Sequence, residues 1–290
     1  MKAGYETMTP EELRRLTATH DEADYEIVDV REPAEYRQGH LPGAKHIPVG
    51  EVEARLDELV PGRTHIFYCR SGARSRAALT FAVESGLTLG PLYDLAGGIL
   101  AWDGHTVPDE PRLATFAHVS DMRSLLLRAI DMEKAVHGLY TRVRAASGRP
   151  VVCELMDRLV GVEVAHARVI YRELRKWWAA ADGELPPFET LFETLEGRVL
   201  EGGRSVDELE PWIRSASTGD CHEVADLALE LEFAAYDLYR TLADEAVQGS
   251  GLGEDAARVF LDLASQEKAH ARMIVAAMAR FGEEGADATA

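Results

Sequence analysis

Two fold classes are predicted in one chain: an α/β domain built on a parallel sheet with flanking helices, followed by an all-α four-helix bundle. Three observations carry this. Short β-type runs alternate with helical patterns over residues 5–105; no strand pattern survives beyond Ser120; and the helical half contains the same hairpin twice. A length of 290 residues suits two domains, because a single core usually stops growing near this size.

The first domain begins with a helix start. Thr9 is placed as N-cap, Pro10 occupies the first helical position, and Glu12 completes a capping box. Residues 26–30 (EIVDV) read as a buried strand, residues 51–60 as a helix stopped by Pro61-Gly62, and residues 64–68 (THIFY) as another strand. A small-residue helix over 75–84 ends at Gly86, and residues 92–95 form a further strand before Gly97-Gly98. Strands alternating with helices imply a sheet with helices on its faces. Pro108 and Pro111 mark a linker, which sets the expected division: domain one at 1–107, linker at 108–118, bundle at 119–284 and a tail at 285–290. Four helices are expected at 120–146, 150–181, 219–247 and 252–281. Ser147-Gly148-Arg149-Pro150 breaks the first pair and Gln248-Gly249-Ser250-Gly251 the second. The stretch 181–218 between the pairs, with Pro186-Pro187 and Gly202-Gly203, gives two tight hairpins joined by one long crossover.

Charge narrows the function classes. Lys and Arg total 31 against 50 Asp and Glu, a net charge of -19. That excludes a nucleic-acid or anionic-membrane partner, each of which requires clustered basic excess. No apolar run approaches the roughly 18 residues of a membrane span, and the first nine residues have no apolar signal core. Three cysteines, Cys69, Cys153 and Cys221, cannot form a complete disulfide framework, so a reducing, cytoplasmic location is expected.

Cys69 sits where a strand ends and a helix is about to begin, followed by Arg70-Ser71-Gly72-Ala73-Arg74. Backbone N–H groups of such a loop converge on the sulfur, the helix dipole favours negative charge there, and two arginines add positive potential. Each effect lowers the thiol pKa. The cradle suits a thiolate nucleophile or a small oxyanion. Taken with Ile27-Val28-Asp29-Val30-Arg31-Glu32, Glu35-Tyr36, Gly39-His40-Leu41-Pro42-Gly43-Ala44 and Gly97-Gly98-Ile99-Leu100-Ala101-Trp102, this loop makes residues 5–105 resemble a single-domain rhodanese. The resemblance implies that Cys69 accepts a sulfane sulfur as a persulfide and passes it to a nucleophilic acceptor. The six-residue loop matches the sulfur-transfer type, since phosphatase relatives of the fold carry one residue more. By the same resemblance Arg70 and Arg74 hold the sulfonate end of a donor such as thiosulfate. Asp29 and Arg31 form a supporting ion pair, and His40 is a turn or packing residue.

The helical half repeats itself. Glu163-Val164-Ala165-His166-Ala167-Arg168-Val169-Ile170 recurs as Glu267-Lys268-Ala269-His270-Ala271-Arg272-Met273-Ile274, and Glu133-x-Ala135-x-x-x-Leu139-Tyr140 recurs as Glu232-x-Ala234-x-x-x-Leu238-Tyr239. Residues three apart share a helix face, so Glu163 points with His166 and Glu267 with His270. In each hairpin the glutamates of the two helices are equidistant from the break, which brings four carboxylates and two imidazoles to one height. Buried carboxylates cost several kcal/mol unless paired or coordinated, and this donor set suits two Fe or Mn ions. Over residues 118–282 the chain resembles the rubrerythrin branch of the ferritin-like di-iron carboxylate proteins. That resemblance implies that Glu163 and Glu267 bridge or chelate, His166 and His270 cap, and Glu133 and Glu232 complete the two ions. Tyr140 and Tyr239 either hydrogen-bond ligands or simply pack in the core. Glu230, two residues from Glu232, faces away on an ideal helix. No Cys-x-x-Cys is present, so the electron-delivering module of rubrerythrins is missing, and Cys153 and Cys221 read as packing residues.

The expected function is sulfur transfer through Cys69, coupled to a di-iron carboxylate domain that reduces peroxide or activates oxygen. Its partners would be small sulfur-containing substrates and an unidentified electron donor or sulfur acceptor, with a homodimer as one assembly. The rival readings are a redox or sulfide sensor with incidental turnover, and a metal-storage bundle.

Overall fold

The structure, a computed structural model, describes residues 4–116, 119, 121–178, 183–200, 203–216, 220–248 and 253–287, with Ala114, Thr115 and residues 282–287 described by backbone only. Five strands, β1 (Glu6–Met8), β2 (Tyr25–Asp29), β3 (Ala44–His46), β4 (Thr64–Tyr68) and β5 (Leu92–Leu95), form one sheet in the order β1-β5-β4-β2-β3, and every pairing is parallel. The apolar runs of β2 and β4 follow from this, since a central parallel strand is buried on both faces. Val28, Phe67 and Cys69 face α3 (Ala73–Glu84), whereas Ile27, Ile66 and Tyr68 face α1 (Pro10–Thr19). Thr9 caps α1 and Glu12 closes the capping box, as the sequence predicts. A further short helix, α2 (Pro33–Gln38), follows β2.

The helix expected over 51–60 is instead two 3-10 turns, Val52–Ala54 and Leu56–Glu58. The periodicity is real, for Val52, Leu56 and Leu59 are buried. No side chain caps either turn, whereas Thr9 and Glu12 cap α1, equal in length to the helix expected here. The linker region also carries structure: Val107 pairs with His40, a 3-10 turn spans Leu113–Phe116, and Phe116 enters the bundle core.

The bundle helices are α4 (Met122–Ala146), α5 (Pro150–Trp177), α8 (Cys221–Gln248) and α9 (Gly253–Asp287), with α4 packed on α5 and α8 on α9. Its last helix runs past the end expected at 281 and past the domain boundary expected at 284, since Gly282 and Gly285 each cost only about 1 kcal/mol and do not stop a helix. The break at Gly249-Ser250-Gly251, the helix end expected at 179–181 and the helix start expected at 219 lie outside the described residues. Within the crossover are α6 (Phe188–Thr194) and α7 (Glu210–Ser215). Lys134 holds it against α4 by donating to the carbonyls of Glu193 and Leu195 at 2.8 and 2.7 Å.

The bundle docks beneath the amino-terminal ends of the strands. Glu22 and Tyr25, at the start of β2, meet Tyr236 and Arg240 of α8 and Lys268 of α9. Asp237 of α8 accepts the Gly43 N–H at 2.8 Å and lies 3.0 Å from His40 Nε2. Gly43 has φ +72°, and a Cβ there would fall 2.7 Å from the Tyr236 ring, so this contact requires glycine. Lys45 adds an ion pair with Asp244 at 3.1 Å.

Candidate functional site

Cys69 is the first residue after β4, at the carboxyl end of the sheet, and its side chain is almost wholly buried. The next helix starts at Ala73, so the loop between them turns its amides toward the sulfur. Gly72 N–H donates to Sγ at 3.1 Å, and the Ser75 hydroxyl lies 3.6 Å away. Burial pushes the thiol up, but the N–H groups of Ser75, Ser71 and Gly72 and the Ser75 hydroxyl outweigh it, leaving the thiol below its ordinary value. On the far side, Gly98 is wedged against the loop. A Cβ there would stand 2.3 Å from the Cys69 carbonyl, while Ile99 and Leu100 donate their N–H groups to the Cys69 and Arg70 carbonyls.

Asp29 and Arg31 form the expected pair at 2.6 Å, and Arg31 also reaches the Gly39 carbonyl and lies over the Tyr68 ring. Arg70, Ser71 and Ala73 are exposed at the loop surface. Arg74 differs from expectation. Its guanidinium grips Glu35 of α2 in a bidentate pair at 2.6 and 2.8 Å, and this pair holds the Glu35 carboxyl at about 2. Glu35 thus neutralises Arg74 but takes only two of its five N–H donors.

Ser75 and Asp94 escaped the sequence reading. Asp94, buried at the end of β5, accepts the Ser75 hydroxyl at 2.5 Å and Arg76 at 3.2 Å. The only sequence signal for this was an acid inside an otherwise apolar strand. His40 does pack, stacked on Tyr36 with ring centroids 3.7 Å apart, but its contact with Asp237 of the bundle was not foreseen.

In the bundle, Glu133, Glu163, His166, Glu232, Glu267 and His270 are all buried and come together at mid-height. His166 Nδ1 lies 2.9 Å from both Glu133 and Glu267. His270 Nδ1 lies 3.1 Å from Glu232, 3.3 Å from Glu267 and 3.8 Å from Glu163. The two rings stand perpendicular, with centroids 5.4 Å apart. Ligating atoms form three overlapping triads: Glu163, His166 and His270; Glu133, His166 and Glu267; and Glu232, Glu267 and His270. Glu267 belongs to two triads, and Glu163 faces both imidazoles.

The electrostatics fit a cation. Burial, reinforced by Glu232 and Glu133, raises Glu163 well above the carboxylate range, and burial also raises Glu232. Glu267 is lowered despite burial because both imidazoles face it. Among the described residues, the buried oxygens Glu163 Oε1, Glu267 Oε1 and Glu267 Oε2 meet no donor but imidazole nitrogens, at 3.8, 2.9 and 3.3 Å. Four buried carboxylates against two imidazoles leave negative charge that a divalent ion would neutralise. The residues can therefore hold metal.

Tyr140 donates to Glu232 Oε1 at 2.5 Å, so it does contact a member of the cluster. Tyr239 is buried with its ring stacked 6.4 Å from Phe260. Glu230 is half-buried and pairs with Arg204 at 3.7 Å, away from the cluster. Cys153 contacts the Ser147 carbonyl at 3.4 Å, and Cys221 lies 3.2 Å from Arg149.

A cysteine in an amide cradle at the carboxyl end of a parallel sheet, joined to a helical bundle with a carboxylate–histidine core, defines a sulfurtransferase domain fused to a ferritin-like domain. Sequence comparison with known proteins agrees. The rhodanese-like domain family matches residues 9–105, and the rubrerythrin family matches residues 223–288. A sulfurtransferase of Allochromatium vinosum is 40% identical over 88 residues, covering 30% of this chain and 80% of that protein. A putative sulfurtransferase of Bacillus subtilis, YtwF, is 36% identical over 89 residues, covering 30% of this chain and 84% of that protein. A crystal structure of a rhodanese-related protein from Thermoplasma volcanium is 28% identical and covers 36% of this chain and 98% of its own, with a TM-score of 0.31. The chain belongs to the rhodanese-like sulfurtransferases and carries a rubrerythrin domain after the rhodanese domain. Among the described residues no helix is long and apolar enough to cross a membrane.

Proposed function

We propose that Cys69 takes a sulfane sulfur from thiosulfate or a low-molecular-weight persulfide, and that the bundle, with two iron or manganese ions bound, reduces peroxide to water with two electrons from an external donor, a reduced partner protein or a thiol. The depressed thiol inside the amide cradle carries the first half of this reading. The Cys69 thiolate attacks the sulfane sulfur and the donor's S–S bond breaks, with thiosulfate leaving as sulfite with the bonding pair. An acceptor nucleophile such as a thiolate then removes the outer sulfur and restores Cys69. Arg70, exposed beside the loop, meets the donor's anionic end, while Arg74 braces the loop through Glu35.

The three overlapping triads carry the second half. Glu133 with His166 and Glu232 with His270 would hold one ion each, and Glu163 and Glu267 would complete both sites. A bound metal pair supplies redox and Lewis-acid chemistry toward peroxide. Tyr140 orients Glu232, and the surrounding core excludes water.

The two sites do not share a chamber. Cys69 follows the carboxyl end of β4, whereas the bundle touches the amino end of the neighbouring β2, so the strands alone separate them by about 15 Å. The persulfide is therefore delivered to a diffusible acceptor or a partner protein. Cys69→Ser is expected to abolish thiosulfate:cyanide sulfur transfer and leave metal content unchanged. A Glu163→Ala, Glu267→Ala double variant is expected to do the reverse. Sulfur transfer retained without Cys69, or unaltered metal stoichiometry in the double variant, overturns the corresponding half.

A further inference from the structure

Between the domains lies a cavity of about 270 Å³ that neither proposed reaction uses. Leu41, Trp102 and His105 wall it from the rhodanese side, and Phe233, Lys268 and Arg272 from the bundle side. Its surface is mostly apolar, and among the described residues no Asp or Glu lines it, in a chain whose net charge is -19. His105 lies flat on Phe233, with centroids 4.6 Å apart and planes 16° from parallel. Burial lowers the His105 pKa, so this ring is a neutral aromatic wall, and its buried Nε2 has no hydrogen-bond partner among the described residues. Trp102 is held beside it by its indole N–H, which donates to the His105 carbonyl at 2.9 Å.

The cationic wall is incompletely neutralised. Lys268 and Arg272 are one helical turn apart, a like-charged spacing that destabilises a helix unless something compensates it. Glu22 compensates Lys268. Arg272 donates only to the Thr17 carbonyl, at 3.0 Å, and among the described residues it has no ion-pair partner. An apolar cavity with aromatic walls beside a guanidinium that has no carboxylate partner among the described residues selects one kind of small molecule.

We propose that this seam cavity binds a small aromatic carboxylate, its rings against Phe233, His105 and Trp102 and its carboxylate on Arg272. The ligand would touch both domains at once and strengthen their docking. It would also press on Phe233 and Lys268, which directly follow Glu232 and Glu267 in the chain.

Titration calorimetry of the full chain with 2-naphthoate tests this, with 2-naphthylmethanol as the uncharged comparison. Naphthoate should bind with a dissociation constant below about 1 mM, and the alcohol about tenfold more weakly. Arg272→Gln should weaken naphthoate by a similar factor. Ala18→Trp, which fills the slot from an exposed position on α1, should remove binding while the melting curve shows a folded protein. Cys69→Ser should bind as the parent does, which separates this site from the sulfur-transfer loop. Absence of binding by the parent chain, equal affinity for acid and alcohol, or binding that survives both Arg272→Gln and Ala18→Trp each overturns the proposal.

Discussion

Replacing Glu22 by Gln should uncouple the two domains. Glu22 is 3% exposed and accepts the Tyr25 and Tyr236 hydroxyls at 2.8 Å each, Arg240 Nη1 at 3.1 Å, and the Lys268 ammonium. Gln keeps the shape and some hydrogen bonds but leaves Arg240 and Lys268, both largely buried, without their counter-charge. Breaking a buried pair by removing one partner costs about 3–5 kcal/mol, far beyond the 0–1 kcal/mol of an exposed pair. At about 2.1 cal/mol/K per residue, that corresponds in a chain of 290 residues to a fall of about 5–8 °C in the transition that includes the seam. Scanning calorimetry should show the parent's coupled unfolding shift and split, with the bundle and the α/β domain melting separately. Adding Arg240→Met and Lys268→Met should recover most of the loss, because no unpaired charge remains. A change no larger than that of an exposed pair, or no recovery in the triple variant, would refute the reasoning. The pH dependence has a definite sign. Burial pushes the Glu22 carboxyl up, but Arg240 and Lys268 outweigh it and its folded value is depressed. Its contribution is thus present above the ordinary glutamate pKa and disappears as pH falls through the lower folded value.

The Cys69 loop gives two further tests. Ser75→Ala removes a hydrogen bond that lowers the Cys69 thiol, so the acid limb of the kcat/KM–pH profile for sulfur transfer should move to higher pH. An unmoved limb would show that the backbone amides alone set the thiol. Gly98→Ala places a methyl 2.3 Å from the Cys69 carbonyl at a φ of +58°, so sulfur transfer should fall by at least about tenfold while bundle metal content is unchanged, as enzyme assay and metal analysis will show. In the bundle, Tyr140→Phe deletes the 2.5 Å bond to Glu232, and the metal dissociation constant, read by competition with a chromophoric chelator, should rise by about tenfold or more.

Legibility followed the range of the interactions. The capping box at Thr9 and the helix stop at Ser147-Gly148-Arg149-Pro150 are local devices, and both stand where the sequence places them. The six clustered side chains were legible for a different reason, since duplication of the hairpin wrote the same spacing twice. β1 and β3 were not legible, because three residues are too few to show a period. Arg74 read as a ligand for anions because nothing in the loop reveals that Glu35, 39 positions earlier, captures it. The seam is the extreme case, with Glu22 and Tyr236 separated by 214 positions. One trace of it was present: Asp237 and Arg240 interrupt an otherwise apolar stretch of α8, and buried charge on a helix demands a partner elsewhere.

That interruption also links the seam to the bundle core. At 100° per residue, positions 232, 236 and 240 drift by only 40° per step, so they form one slowly turning stripe on α8. Its first member, Glu232, lies in the carboxylate–histidine cluster, and its next two, Tyr236 and Arg240, hold Glu22 of the other domain. α9 repeats the arrangement more tightly, with Lys268 gripping Glu22 immediately after Glu267 enters the cluster. The rhodanese domain thus clamps the same two helices that supply three of the six clustered side chains, about one turn from those residues. Loosening this clamp would act on the cluster through helix position, whereas the Cys69 loop, at the other end of the strands, would keep its geometry. Glu22→Gln should therefore weaken metal retention in a chelator challenge while leaving the rate of sulfur transfer unchanged. Equal loss of both would mean that the substitution had unfolded the chain, and retention of both would mean that α8 and α9 hold their register without the clamp.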